Sequence, residues 1–247
     1  MRGRAAIVVV VIALATSGAA ATATSPIVIG EVLRVDVGFG ISPSALPKRK
    51  PRSVRLALSA RVRTDDGSHV PALTEMELKL DRHFFFDLHG VPVCRGGGRD
   101  VRSEVLEGCE DAIVGRGTVE VEVAFPEEPL MAVSGSLRIY NRGHKPGGAN
   151  LAARAYFPAP VTGAVLVPVE VRKMPGGRYG WRARLAIPKI AGGYGSITAF
   201  SARIDKRIVS ATCGDGKLQI GSVSTFADGM QHFMTAIHLC SVARPAS

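Results

Sequence analysis

Apolar residues occupy every second position from Val54 to Val62, with Arg55 and Arg61 on the alternate face. This period of two belongs to a strand with one buried side, and it cannot place an apolar stripe along a helix. The same alternation appears in Met76–Leu80, Val119–Phe125, Leu137–Tyr140 and Val165–Arg172. It returns in Tyr179–Ile187, Ile197–Ile204, Arg207–Thr212, Ser222–Phe226 and Gln231–Leu239. With Ile27–Val37 at the start, the reading gives about eleven to thirteen strands. Turn signals such as Asp66-Gly67, Pro146-Gly147-Gly148, Pro175-Gly176-Gly177 and Gly192-Gly193 separate them. The expected fold is all-β, an antiparallel sandwich. One short helix is predicted over 103–112, with Ser103 as its cap, Glu104 and Glu107 in its first turn and Gly115 past its end.

Two arrangements satisfy this pattern. Leu78-Lys79-Leu80-Asp81-Arg82 is echoed by Ala202-Arg203-Ile204-Asp205-Lys206, and each half of the chain holds two of the four cysteines. That suggests two related β modules, 24–160 and 161–247, joined within 141–160, where Pro146, Gly147, Gly148, Pro158 and Pro160 cluster. The alternative is a single large sandwich over 24–247.

Met1–Ala23 has the layout of a secretion signal. Arg2 and Arg4 precede an apolar run from Ala5 to Ala15, and A-x-A cleavage sites end at Ala21 and Ala23. The run is well short of the roughly 20 residues that span a bilayer, which argues against a retained anchor. The mature chain is expected outside the cytoplasm, secreted or in the cell envelope, with no transmembrane segment. Oxidation of Cys94, Cys109, Cys213 and Cys240 is then the default. Proximity in sequence favours Cys94–Cys109 and Cys213–Cys240, each contributing about 3–4 kcal/mol by loop closure. No C-x-x-C pair supports zinc as the alternative.

Loss of Arg2 and Arg4 lowers the formal charge from +10 to +8. A basic surface favours anionic partners. The densest run, Lys48, Arg49, Lys50 and Arg52, is an exposed loop that either contacts a polyanion or is simply solvated. No aromatics interleave with it, so nucleic acid is not an expected partner. Tyr179 and Trp181 share one strand face, where they either fill the core or stack on a carbohydrate.

Catalytic signatures are absent from the sequence: there is no G-x-S-x-G, no H-E-x-x-H and no phosphate-binding loop. The acidic pairs Asp65-Asp66, Glu110-Asp111 and Glu127-Glu128 sit at predicted turns or helix ends. Glu120 and Glu122 read as a solvated strand face. The six histidines, including His69, read as surface or turn residues. No cofactor, metal or catalytic set is expected.

Several stretches are similar to an uncharacterised family of secreted β proteins from high-GC soil actinobacteria. They are Leu46-Pro47-Lys48-Arg49-Lys50, Asp66-Gly67-Ser68, Pro71-Ala72-Leu73 and Gly90-Val91-Pro92-Val93-Cys94. Cys109, Val114-Gly115-Arg116-Gly117 and Phe226-Ala227-Asp228-Gly229 before Cys240 complete them. The resemblance implies a secreted β architecture and no particular chemistry. The reading that follows is a secreted non-catalytic β protein, acting as a binding or envelope-associated structural module. Its partners would be an anionic cell-envelope polymer or carbohydrate. The alternatives are a secreted hydrolase of polysaccharide or ester substrates, and a surface polyanion binder.

Overall fold

A computed structural model describes residues 27–28, 33–96, 103–160, 162–205 and 207–242; the signal segment 1–23 lies outside them. The alternating segments become strands. In the first part of the chain they are β1 (Ile27–Val28), β2 (Leu33–Ser42), β3 (Ala45–Leu46), β4 (Arg52–Ser53), β5 (Arg55–Thr64), β6 (Leu73–Asp81) and β7 (Phe84–Phe86). The middle contributes β8 (Ile113–Val123), β9 (Met131–Lys145), β10 (Gly148–Phe157), β11 (Gly163–Lys173) and β12 (Tyr179–Ala186). Then follow β13 (Gly195–Ile204), β14 (Val209–Ala211), β15 (Lys217–Phe226), β16 (Gln231–Leu239) and β17 (Ser241–Val242).

Twelve strands form one sheet in the order β1-β2-β5-β13-β8-β9-β10-β11-β12-β6-β15-β16, and every pairing in it is antiparallel. Its two wings face each other as sandwich layers do, but β9, β10 and β11 carry the sheet continuously from one wing to the other. Strands from 24–160 and 161–247 share this sheet, with β13 lying between β5 and β8. β1 covers only the start of β2, and the rest of β2 approaches the opposite edge, β16, without a backbone ladder. They meet through the rings of Phe39 and His238, whose centroids are 5.8 Å apart. Just beyond them, β3 and β17 pair in parallel and Ser241 N donates to Ser44 O. The sheet is thus a flattened, incomplete barrel.

Its apolar face points inward. On β11, Val167, Val169 and Val171 are buried in the main core, joined there by Leu56, Ile139, Ala183 and Ile220. The charged face points outward. Arg63 pairs with Asp36 at 3.5 Å and Arg184 with Glu75 at 2.7 Å, in exposed positions where such pairs add little stability. This polarity is the reverse of a membrane-spanning barrel, whose apolar band faces lipid.

Two expectations need correction. The stretch 141–160, read as a linker, is mostly strand: the end of β9 and all of β10. Its alternation is lost because β10 is covered on both sides. Ala153 faces the main core, while the guanidinium of the buried Arg154 donates to Ser103 O on the other side. The helix predicted over 103–112 does not form. Leu106 N is taken by Tyr140 Oη, Gly108 adopts a φ of +67°, and only a 3-10 turn at Glu110–Ala112 remains. This segment lies as a lid of irregular chain, its Leu106, Cys94 and Cys109 packed on Tyr140.

Candidate functional site

The inward face does not close on itself. Leu58, Leu78, Leu137, Leu151, Val165 and Leu185 all point inward, yet each is only half-buried. What they face is an internal chamber of about 170 Å³. Every described residue lining it is apolar. Interior voids larger than a water molecule are few in well-packed domains, and an apolar one holds no water. At the floor, Phe86 meets the sole tryptophan, Trp181, edge to face at 5.2 Å, and Trp181 Nε1 donates to Phe84 O at 2.8 Å.

The two ends of the barrel differ. At one, both disulfides form as the spacing suggested, Cys94–Cys109 and Cys213–Cys240. A small sheet, β4-β14-β7, plugs the opening there. Phe84 and Ala211 of this sheet are fully buried, as are Val54, Leu46 and Leu218 in the same core cluster. Asp81 is buried beside it with its carboxylate satisfied: it accepts from Gln219 N at 3.0 Å and pairs with Arg178 at 2.7 Å and His83 at 2.8 Å.

The other end carries an open apolar recess of about 320 Å³ between the β8–β9 hairpin, the β10–β11 turn and segment 187–194. It shares Val121, Phe157, Val165 and Ile190 with the chamber, so the two spaces adjoin. Thr162 is its one polar lining residue. Phe125 and Tyr194 stand at the rim with ring centroids 5.5 Å apart, and Leu130, in the same β8–β9 connection as Phe125, is 47% exposed. Among the described residues only two non-glycines have positive φ, Glu127 at +64° and Ala191 at +48°. Ala191 lines this recess, and Glu127 lies in the connection from β8 to β9. Such conformations cost of order 1–3 kcal/mol and concentrate at functional sites.

The residues singled out from sequence fall elsewhere. Tyr179 and Trp181 do not share a face. A register shift between them, against β6, sends Trp181 inward, while Tyr179 lies over Gly221 and its hydroxyl accepts from Gln219 Nε2 at 2.9 Å. Lys48, Arg49, Lys50 and Arg52 are all exposed on the plugged end, and among the described residues none of them forms an ion pair. Among the described residues no cluster of His, Cys, Asp and Glu is arranged to hold a metal, and no helix is long and apolar enough to cross a membrane.

One polar constellation is new. Ser196 and Glu122 are cross-strand neighbours on β13 and β8, and His69 arches over them from segment 65–72. His69 Nε2 lies 3.1 Å from Ser196 Oγ, and His69 Nδ1 lies 3.1 Å from Glu122 Oε2. The distances match a nucleophile, a base and an orienting carboxylate. Access does not match. Ser196 is 1% exposed on the outer wall beneath the imidazole, away from the chamber, so an acyl carbon has no approach to its hydroxyl. In this arrangement the constellation clamps segment 65–72 to the barrel. The three residues are far apart in sequence, so no spacing motif marks them.

Comparison with protein-family models, curated proteins and solved structures finds no match. The site therefore rests on its own geometry.

Proposed function

We propose that this chain is an exported binding protein for a small apolar molecule held inside its barrel. The observation that carries the reading is the chamber, lined by apolar side chains alone and adjoining an apolar opening. A dry cavity of about 150 Å³ is enough to bind a benzene ring. Burying apolar surface gains roughly 25 cal/mol per Å², while the charged exterior keeps the loaded protein soluble. The signal layout and two disulfides support a site of action outside the cytoplasm. A carbohydrate or polyanion fits this interior poorly, because no lining group could replace the hydrogen bonds such a ligand loses.

Titration with N-phenyl-1-naphthylamine, a neutral apolar fluorophore, tests the reading. Saturable one-to-one enhancement with quenching of Trp181 is expected. Ala153→Phe, which fills the chamber from β10, should weaken binding by at least about tenfold, or 1.4 kcal/mol, with the far-UV circular dichroism retained. Absence of saturable binding by the native protein would falsify the reading.

The Ser196–His69–Glu122 constellation supports a second reading, an esterase in which the chain flanking His69 opens a path to Ser196 while the imidazole keeps its contact with Ser196 Oγ and Glu122. Covalent labelling by a fluorophosphonate, lost in Ser196→Ala, would favour it. An unlabelled native protein would leave the constellation as a clamp.

A further inference from the structure

The chamber has two ends, and the molecule treats them differently. We infer that ligand enters by the recess between the β8–β9 hairpin, the β10–β11 turn and segment 187–194, and that the occupant is an uncharged amphiphile with a single hydrocarbon chain. This rests on the chamber being a binding site.

Three observations select the entrance. The recess and the chamber share Val121, Phe157, Val165 and Ile190, so a chain sliding past these side chains stays in apolar contact throughout. The opposite end is filled by fully buried side chains and tied by Cys213–Cys240, which leaves no comparable path there. The rim is itself apolar and exposed, with Phe125 37% and Tyr194 44% accessible. Such a rim offers a first foothold for a hydrocarbon chain leaving water.

Charge selects the ligand class. The chain carries 31 lysines and arginines. Yet the described rim segments, 124–130, 158–160 with Thr162, and 187–194, hold only Glu127, Glu128 and Lys189 as charged residues. No arginine stands there to pair with a carboxylate or phosphate. An anionic head would meet two carboxylates, Glu127 and Glu128, against the single ammonium of Lys189, a rim of net negative charge that disfavours it. A hydroxyl or similar neutral head can instead rest at the mouth, within reach of water and Thr162.

Two measurements test this. Displacement of N-phenyl-1-naphthylamine by 1-dodecanol and by dodecanoate, ionised at about pH 7.5, compares heads on one chain length. The alcohol should bind at least about tenfold more tightly; equal or tighter binding of the carboxylate would overturn the ligand class. Stopped-flow exchange of the fluorophore locates the entrance. Val133→Phe, which narrows the recess, should slow association and release together, by about tenfold on the same scale. Phe125→Ala, an exposed substitution that keeps the fold, should speed both. Native exchange rates in the Phe125 variant, with binding intact, would overturn the entrance even if Val133→Phe fails to fold. Loss of binding in the native protein would instead remove the chamber reading itself.

Discussion

The plugged end and the open end of this barrel are made from the same residue types put to opposite uses. Phe84 opens β7, and Phe125 lies two residues past the end of β8. Phe84 is fully buried in the plug, with its ring 6.2 Å from Phe39. Phe125 stands at the rim against Tyr194 with much of its ring in water. The plugged end gathers both disulfides, the small three-stranded sheet and the satisfied carboxylate of Asp81. The open end holds short connections and both positive-φ non-glycines. Stability is concentrated at one end, and an apolar opening is left at the other.

The largest expected effect tests the stable side. Phe84→Ala removes a ring from the centre of the plug, where the surroundings are tied by Cys213–Cys240 and cannot collapse freely. A loss of about 3–5 kcal/mol in unfolding free energy is expected, read from urea melts followed by Trp181 fluorescence. A loss under about 1 kcal/mol on the same scale would mean the plug is loosely packed. The contrast between the ends would then fail.

Parts of this contrast were legible in the sequence and parts were not. Alternation marks β5, β6, β8, β11, β12 and β13 because each has one apolar face inward and one largely polar face outward. It fails for β10, whose outer face is roofed by the lid around Cys94–Cys109, so Ala152 and Arg154 are as buried as Ala153. It fails again at Tyr179 and Trp181, since a local register shift between strands leaves no trace in spacing. The disulfide partners could be read because close cysteines close short loops. The chamber could not: periodicity says which side chains point inward, but not whether they meet. The volume depends on how far apart the two wings stand, which is set by the β9–β11 turn of the sheet. Ser196 and Glu122 come together through strand register, and His69 reaches them from the connection between β5 and β6.

An intermediate effect is expected at the seam between the barrel edges. His232 is held below the usual histidine range by burial, partly countered by Asp228, and His238 is held below it by burial alone. His238 stacks on Phe39 across the seam, and His232 meets Phe226 at 5.4 Å. In the unfolded chain both take up protons near about pH 6.5. Below that pH the unfolded state binds protons that the folded state refuses, so stability falls as pH drops towards the lower folded values and is unaffected above. The thermal midpoint should decline by on the order of a few degrees between about pH 7 and pH 5.5. His238→Phe should flatten that decline. An unchanged slope would show that the seam is not where acid acts, and that carboxylate pairs elsewhere govern it.

The smallest effect on stability belongs to the rim, and it is the sharpest test of the contrast. Phe125→Ala deletes the same ring as Phe84→Ala. However, that ring is partly solvated and borders space already open to water, so little apolar area returns to solvent on unfolding. The change in unfolding free energy should stay within about 0.5 kcal/mol, although the backbone bond from Ala124 N to Tyr194 O remains to hold the two rim segments together. A nearly silent stability change, paired with faster exchange of an apolar ligand, would show that Phe125 serves the opening and not the fold. A loss of about 2 kcal/mol or more would place it among core residues. The open end would then be a second packed cap, with no passage from the recess to the chamber.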